Sequence, residues 1–216
     1  MLQEGVTEGR KIFGNITKYI KMGASSNFGN MFSVLGASIF LPFLPMAPIQ
    51  VLTNNLLYDF SQTAIPTDNV DEDYLKLPRR WDIGNIFKFM VFVGPISSIF
   101  DYATYAMMLL VFDSRTNPPL FQTGWFVESL LTQTLIIHII RTAKIPFIES
   151  RASAPLIATT IAICVVGIML PFTWVGGALG FVPLPGLYWP LVAAMLLSYA
   201  TLTHLVKAWF VRRWGM

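Results

Sequence analysis

Residues 50–60, QVLTNNLLYDF, place Gln50, Asn54, Asn55, Tyr58 and Asp59 inside an otherwise apolar run. A charged side chain at the centre of a bilayer costs about 2.5–3.5 kcal/mol on insertion scales. If this run crosses a membrane, its amides and carboxylate need compensating partners. Residues four apart on a helix return to nearly the same face. Asn55 therefore stacks on Asp59, Gln50 on Asn54, and Asn54 on Tyr58.

The surrounding sequence is that of a membrane protein. Of 216 residues, 54% are hydrophobic and 12% charged, about half the charge of a soluble domain. Mean hydropathy is +0.58. A spanning helix needs about 20 mostly apolar residues, and six segments qualify, roughly 25–46, 49–66, 85–112, 120–141, 154–175 and 186–208. The expected fold is an all-α bundle of six transmembrane helices. Placing the N-terminus, the 67–84 loop, the 141–153 loop and the C-terminal KAWFVRRWGM on one side gathers there 14 of the 15 Lys and Arg residues, Arg115 being the exception. By the positive-inside rule both termini are then cytoplasmic. Membrane lipids are the expected surroundings, and no nucleic-acid partner is expected. The single Cys164 cannot form an intramolecular disulfide and reads as apolar filler. His138 and Arg141, in TLIIHIIRT, are expected to snorkel to the headgroups.

The N-terminal MLQEGVTEGRKIF has no early apolar block and is not a signal peptide. From EGRKIFGNITKYIKMG, Ile12, Ile16, Tyr19 and Ile20 recur at helical spacing, which predicts an amphipathic helix leading into the first span. Pro42, Pro45 and Pro48 end one helix just before the next begins, so the first two spans form an antiparallel hairpin. In the first of them Asn27 and Asn30 share a face, and the two polar faces can turn inward toward each other. Amide, carboxylate and phenol oxygens suit Mg2+ or Ca2+ rather than zinc or copper. A single carboxylate favours Mg2+ that keeps part of its water shell. The alternative role for each asparagine is hydrogen bonding between helices. Asp101 and Glu128 are further acids within spans and candidates for an ion path.

EGRKIFGNITKYIKMGASSNFGN, then PIQVLTNNLLYD, then LPRR resemble, in that order, the C-terminal portion of P-type cation-transporting ATPases. That portion runs from the end of the phosphorylation domain through the fifth to tenth membrane helices. NNLLYDFSQTAIPTDNVDEDYL and the ending VRRWGM resemble the bacterial magnesium-transporting branch. The resemblance covers nearly the whole chain. It implies that residues 1–24 are the end of the phosphorylation domain and a cytoplasmic stalk, and that 25–66 form a hairpin carrying the ion site. Residues 67–84 would be a cytoplasmic loop and 85–216 a four-helix membrane domain.

Residue by residue, the resemblance implies cation ligands at Asn27 and Asn30, where calcium pumps carry Asn and Glu, and at Asn55 and Asp59. Tyr58 stands where calcium pumps have Thr, and Gln133 where they use Glu, with Glu128 off that register. Asn54, Tyr58, Asp101, Glu128 and Gln133 are weaker candidates. Two acids of the calcium pattern are missing, which speaks against a two-calcium site. Calcium pumps follow the acid with Gly, which eases unwinding; here Phe60 follows. The implied function is the cation pathway of an ATPase moving Mg2+ across the bacterial inner membrane into the cytoplasm. ATP would act through domains that this sequence lacks, in cis or as a separate chain, since it contains no DKTGT loop. The chain alone is expected not to hydrolyse ATP. Two alternatives are a stand-alone six-helix channel or carrier and the same region of a calcium or proton pump.

Overall fold

A computed structural model of the chain describes residues 2–76 and 78–215. The helices, in order, are α1 (Leu2–Phe40), α2 (Pro48–Gln62), α3 (Glu72–Leu75), α4 (Ile83–Leu110), α5 (Pro118–Ile140), α6 (Ala154–Met169), α7 (Trp174–Ala178) and α8 (Tyr188–Trp214). Their starts are written locally. Asp82, Asn117 and Ser153 side chains accept from the amides of Asn85, Leu120 and Leu156, and Pro48 and Pro118 open α2 and α5. The proline hairpin falls where expected, between Phe40 and Pro48.

The central post is α5, which packs against α1, α2, α4, α6 and α8. Its Phe121, Phe126, Leu130 and Ile137 are wholly buried, and so are its polar Thr123 and Glu128. Among the described residues, four helices are long and apolar enough to cross a membrane: α4, α5, α8, and α6 with its extension to Phe172. The six-span expectation is therefore met in part. The 15 residues of α2 rise about 22 Å, short of the roughly 30 Å hydrocarbon layer. In α1, Asn27, Asn30 and a run of Ser and Gly dilute the hydropathy of the uncharged second half. Helix α1 runs unbroken for 39 residues, about 58 Å.

Buried ions hold one end of the bundle. Asp68 is 0% exposed. Its carboxylate accepts from Lys18 Nζ of α1 (3.1 Å), from Arg141 Nε at the end of α5 (2.8 Å) and from the Ser153 amide before α6 (3.1 Å). Arg141 also donates to the carbonyls of Ser150 and Arg151 at 3.1 and 2.9 Å. Lys207 of α8 donates to the carbonyls of Ile139, Thr142 and Lys144 at 3.0, 3.1 and 3.2 Å. It thereby satisfies one acceptor in the last turn of α5 and two in the loop that follows. Burial pulls the Lys18 ammonium below its ordinary pKa against the pull of Asp68. Burial would raise the Asp68 carboxyl, but Arg141, Lys18 and the Ser153 amide outweigh it and hold the group below its ordinary value.

One sequence expectation fails at this end. Arg141 does not snorkel: it is 2% exposed, because a carboxylate and several carbonyls meet its donors inside the protein. His138 is likewise buried, 2.9 Å from the Thr160 hydroxyl. In the amphipathic start of α1 the polar side is the one turned to the bundle. Ile12, Ile16 and Tyr19 are about half exposed, whereas Asn15 and Lys18 are buried. The Asn15 amide donates to the carbonyls of Pro66 and Asp68 at 3.2 and 3.0 Å. The surface that α1 meets there is a polar loop, so polar side chains take the inward side.

Arg141→Met would leave Asp68 buried with one cation fewer, and removing one partner of a buried pair costs about 3–5 kcal/mol. The variant should melt well below the wild type in detergent at pH 7. Because the Asp68 pKa is depressed by folding, its stabilisation is full above the ordinary carboxyl value of 3.8 and fades as pH falls through the lower folded value. The two melting curves should therefore converge in that acid range; a constant gap would assign the loss to packing instead.

Candidate cation site

The two faces of α2 have different partners. Gln50, Asn54 and Tyr58 are buried toward the bundle. Gln50 Oε1 accepts from the Ala47 amide at 3.1 Å, and its Nε2 donates to the Leu179 carbonyl at 3.2 Å. Asn54 Nδ2 donates to the Phe126 carbonyl at 3.3 Å, and its Oδ1 accepts from Gln133 Nε2 at 3.2 Å. That same Gln133 nitrogen donates to Ser129 Oγ at 2.6 Å. The Tyr58 hydroxyl lies near Ser26 of α1 without a hydrogen bond of good geometry. These amides join helices, the role in which polar side chains serve as membrane glue.

On the opposite face, Asn55 and Asp59 are exposed. Together with Asn27 of α1 they line a cleft of about 200 Å³. Tyr19, Gly23, Tyr58 and Gln62 complete its wall. The stacking of Asn55 on Asp59 is as the spacing predicts, but its direction is reversed. The expected inward-facing pocket is an outward-facing cleft, because α5 engages the Asn54 face. Asn30 is half-buried and outside the lining. Helix α2 continues through Asp59 and Phe60 to Gln62, with no unwinding after the acid.

Gln62 was missed in the sequence. It is 4% exposed, and its Oε1 has no hydrogen-bond partner. The spacing of residues 55, 59 and 62 already puts it on the same face. Among the described residues, no three His, Cys, Asp or Glu side chains gather as a metal-binding group. The cleft thus offers one carboxylate with amide and phenol oxygens.

Asp101 and Glu128 lie elsewhere, between α4 and α5, and neither lines the cleft. Asp101 accepts from Trp125 Nε1 at 2.7 Å and from Ser33 Oγ at 2.5 Å. The candidate residues thus divide into the Asn27–Asn55–Asp59 cleft with Tyr58 at its wall, the Asn54–Gln133 link and the Asp101–Glu128 pair.

Residues 43–209 match the family model described as cation transporting ATPase, C-terminus. The chain belongs to this family. As a cation transporting ATPase C-terminal region, it is 56% identical over its full length to a magnesium-transporting ATPase, P-type 1, of Salmonella typhimurium. It is 54% identical to the protein of that name in Escherichia coli K12. It spans 24% of the length of each of these relatives. A calcium-transporting ATPase of Bacillus subtilis is 28% identical over 142 residues, 64% of this chain and 16% of that protein. The resemblance to the C-terminal membrane region of bacterial magnesium-transporting P-type ATPases therefore holds across the whole sequence.

Gln133→Leu would strand the buried Asn54 oxygen without its donor, a loss of about 1–3 kcal/mol. Its melting temperature in detergent should fall, and the double variant Asn54→Leu/Gln133→Leu should recover part of that loss. A double variant less stable than Gln133→Leu would contradict the pairing.

Proposed function

We propose that the chain is the transmembrane cation pathway of a P-type ATPase that carries Mg2+ across the bacterial inner membrane, toward the cytoplasm. ATP hydrolysis is assigned to segments outside this chain. The observation that carries this reading is the convergence of Asn27 from α1 with Asn55 and Asp59 from α2 on one cleft. Magnesium dehydrates reluctantly and is held by one or two carboxylates alongside retained waters. A cleft of about 200 Å³ has room for such an ion, since each water takes about 30 Å³ in the liquid. Relatives named magnesium-transporting match the whole chain, whereas the one named calcium-transporting matches 64% of it.

The topology proposed with this function has six spans, α1 and α2 being the first two, and both termini in the cytoplasm. Lys18 and Arg141 meet at one end on Asp68, Lys207 binds the Thr142 carbonyl beside them, and Arg115 lies in the turn between α4 and α5 at the other end. The second half of α1 and the outer face of α2 expose Met31, Leu35, Ile39, Leu52 and Leu56. That apolar surface suits lipid or further helices of the pump.

In the full-length protein, Asp59→Asn should abolish Mg2+-stimulated ATP turnover. Asn27→Ala should raise the Mg2+ concentration for half-maximal turnover about tenfold, the equivalent of about 1.4 kcal/mol. Wild-type turnover in Asp59→Asn would remove the cleft from the pathway.

A further inference from the structure

The acid pair between α4 and α5 has a chemistry unlike that of the cleft. Asp101 is 2% and Glu128 0% exposed. The two carboxyls lie close enough to hydrogen-bond each other, and such a bond requires a proton on one of them. Two carboxylates side by side and away from water do not both stay ionised. Among the described residues no basic group balances them. The groups that face the pair are Ser33 of α1, Thr104 and Tyr105 of α4, Trp125 of α5, and Tyr188 and Tyr199 of α8. The Tyr105 hydroxyl is itself buried and unpartnered, and neither oxygen of Glu128 receives a hydrogen bond of good geometry from a hydroxyl or nitrogen.

We propose that Asp101 and Glu128 bind a single proton between them, as a site separate from the cation cleft. A metal ion fits poorly. Each Asp101 oxygen already accepts from a donor, and the indole N–H of Trp125 presents hydrogen, not a lone pair, to whatever sits there. Uptake of one proton takes the pair from two negative charges to one, a coupled titration that belongs to both residues. Ser33 gives the site a link to the transport helix. It stands on α1, the helix of Asn27, so a shift of α1 along α4 changes the donors that stabilise charge on Asp101. This proposal does not depend on the magnesium assignment.

Infrared spectroscopy of the full-length protein in liposomes reads a protonated carboxyl directly through its C=O stretch, with no need for transport or ATP turnover. The expected result is a band that shifts in D2O, is lost or displaced in both Asp101→Asn and Glu128→Gln, and persists in Asp59→Asn. A spectrum unchanged by both substitutions overturns the proposal. So does a carboxyl band at this pair that appears solely after Mg2+ is stripped, which would mark a metal site. If Asp101→Asn fails to fold, Glu128→Gln decides, because its amide can still donate to Asp101.

Discussion

A carboxylate enclosed at one end of the bundle, Asp68, has to be met by donors from separate helices, and the placement of α1 follows from that demand. An isolated ion there would cost several kcal/mol. Lys18, Arg141 and the Ser153 amide meet it from α1, the end of α5 and the start of α6. Three elements distant in sequence are thereby pinned at one point. With Lys18 turned inward, Asn27 nine residues later emerges about two and a half turns on, and so on the opposite side of the helix. That side is where α2 presents Asn55 and Asp59. A buried ion pair at the bundle end thus sets the side of α1 on which Asn27 meets Asn55 and Asp59.

Farther along, α1 is held to α4 by small residues rather than by large apolar ones. A Cβ on Gly29 would come within 2.7 Å of the Gly94 carbonyl oxygen, and Ser98 donates to the Gly29 carbonyl at 2.9 Å. Tyr102 donates to the Phe32 carbonyl at 2.7 Å. Lipid gives little hydrophobic push between helices, so close backbone approach and hydrogen bonds supply the contact. The same approach brings the Ser33 hydroxyl onto Asp101.

Much of this was legible in the sequence. Long apolar runs gave α4, α5, α6 and α8, the prolines gave the hairpin, and four-residue spacing paired Asn55 with Asp59. Which face turns inward was not legible, for a physical reason. Apolar periodicity marks the interior when water lies outside, but here lipid suits the apolar face and the interior is partly polar. In α1, accordingly, Ile12 and Ile16 are about half exposed, whereas Asn15 and Lys18 are buried. A better signal was present in the recurrence of Met22, Ser25, Gly29 and Ser33, small or slender residues three and four apart, all buried. Arg141 was read from its position at a helix end, which cannot show that a carboxylate 73 residues earlier waits for it.

The unbroken course of α1 from Leu2 to Phe40 also fixes an angular phase. A residue inserted or deleted between Lys18 and Asn27 would turn the asparagine by about 100° against the ion pair, carrying it away from Asn55 and Asp59.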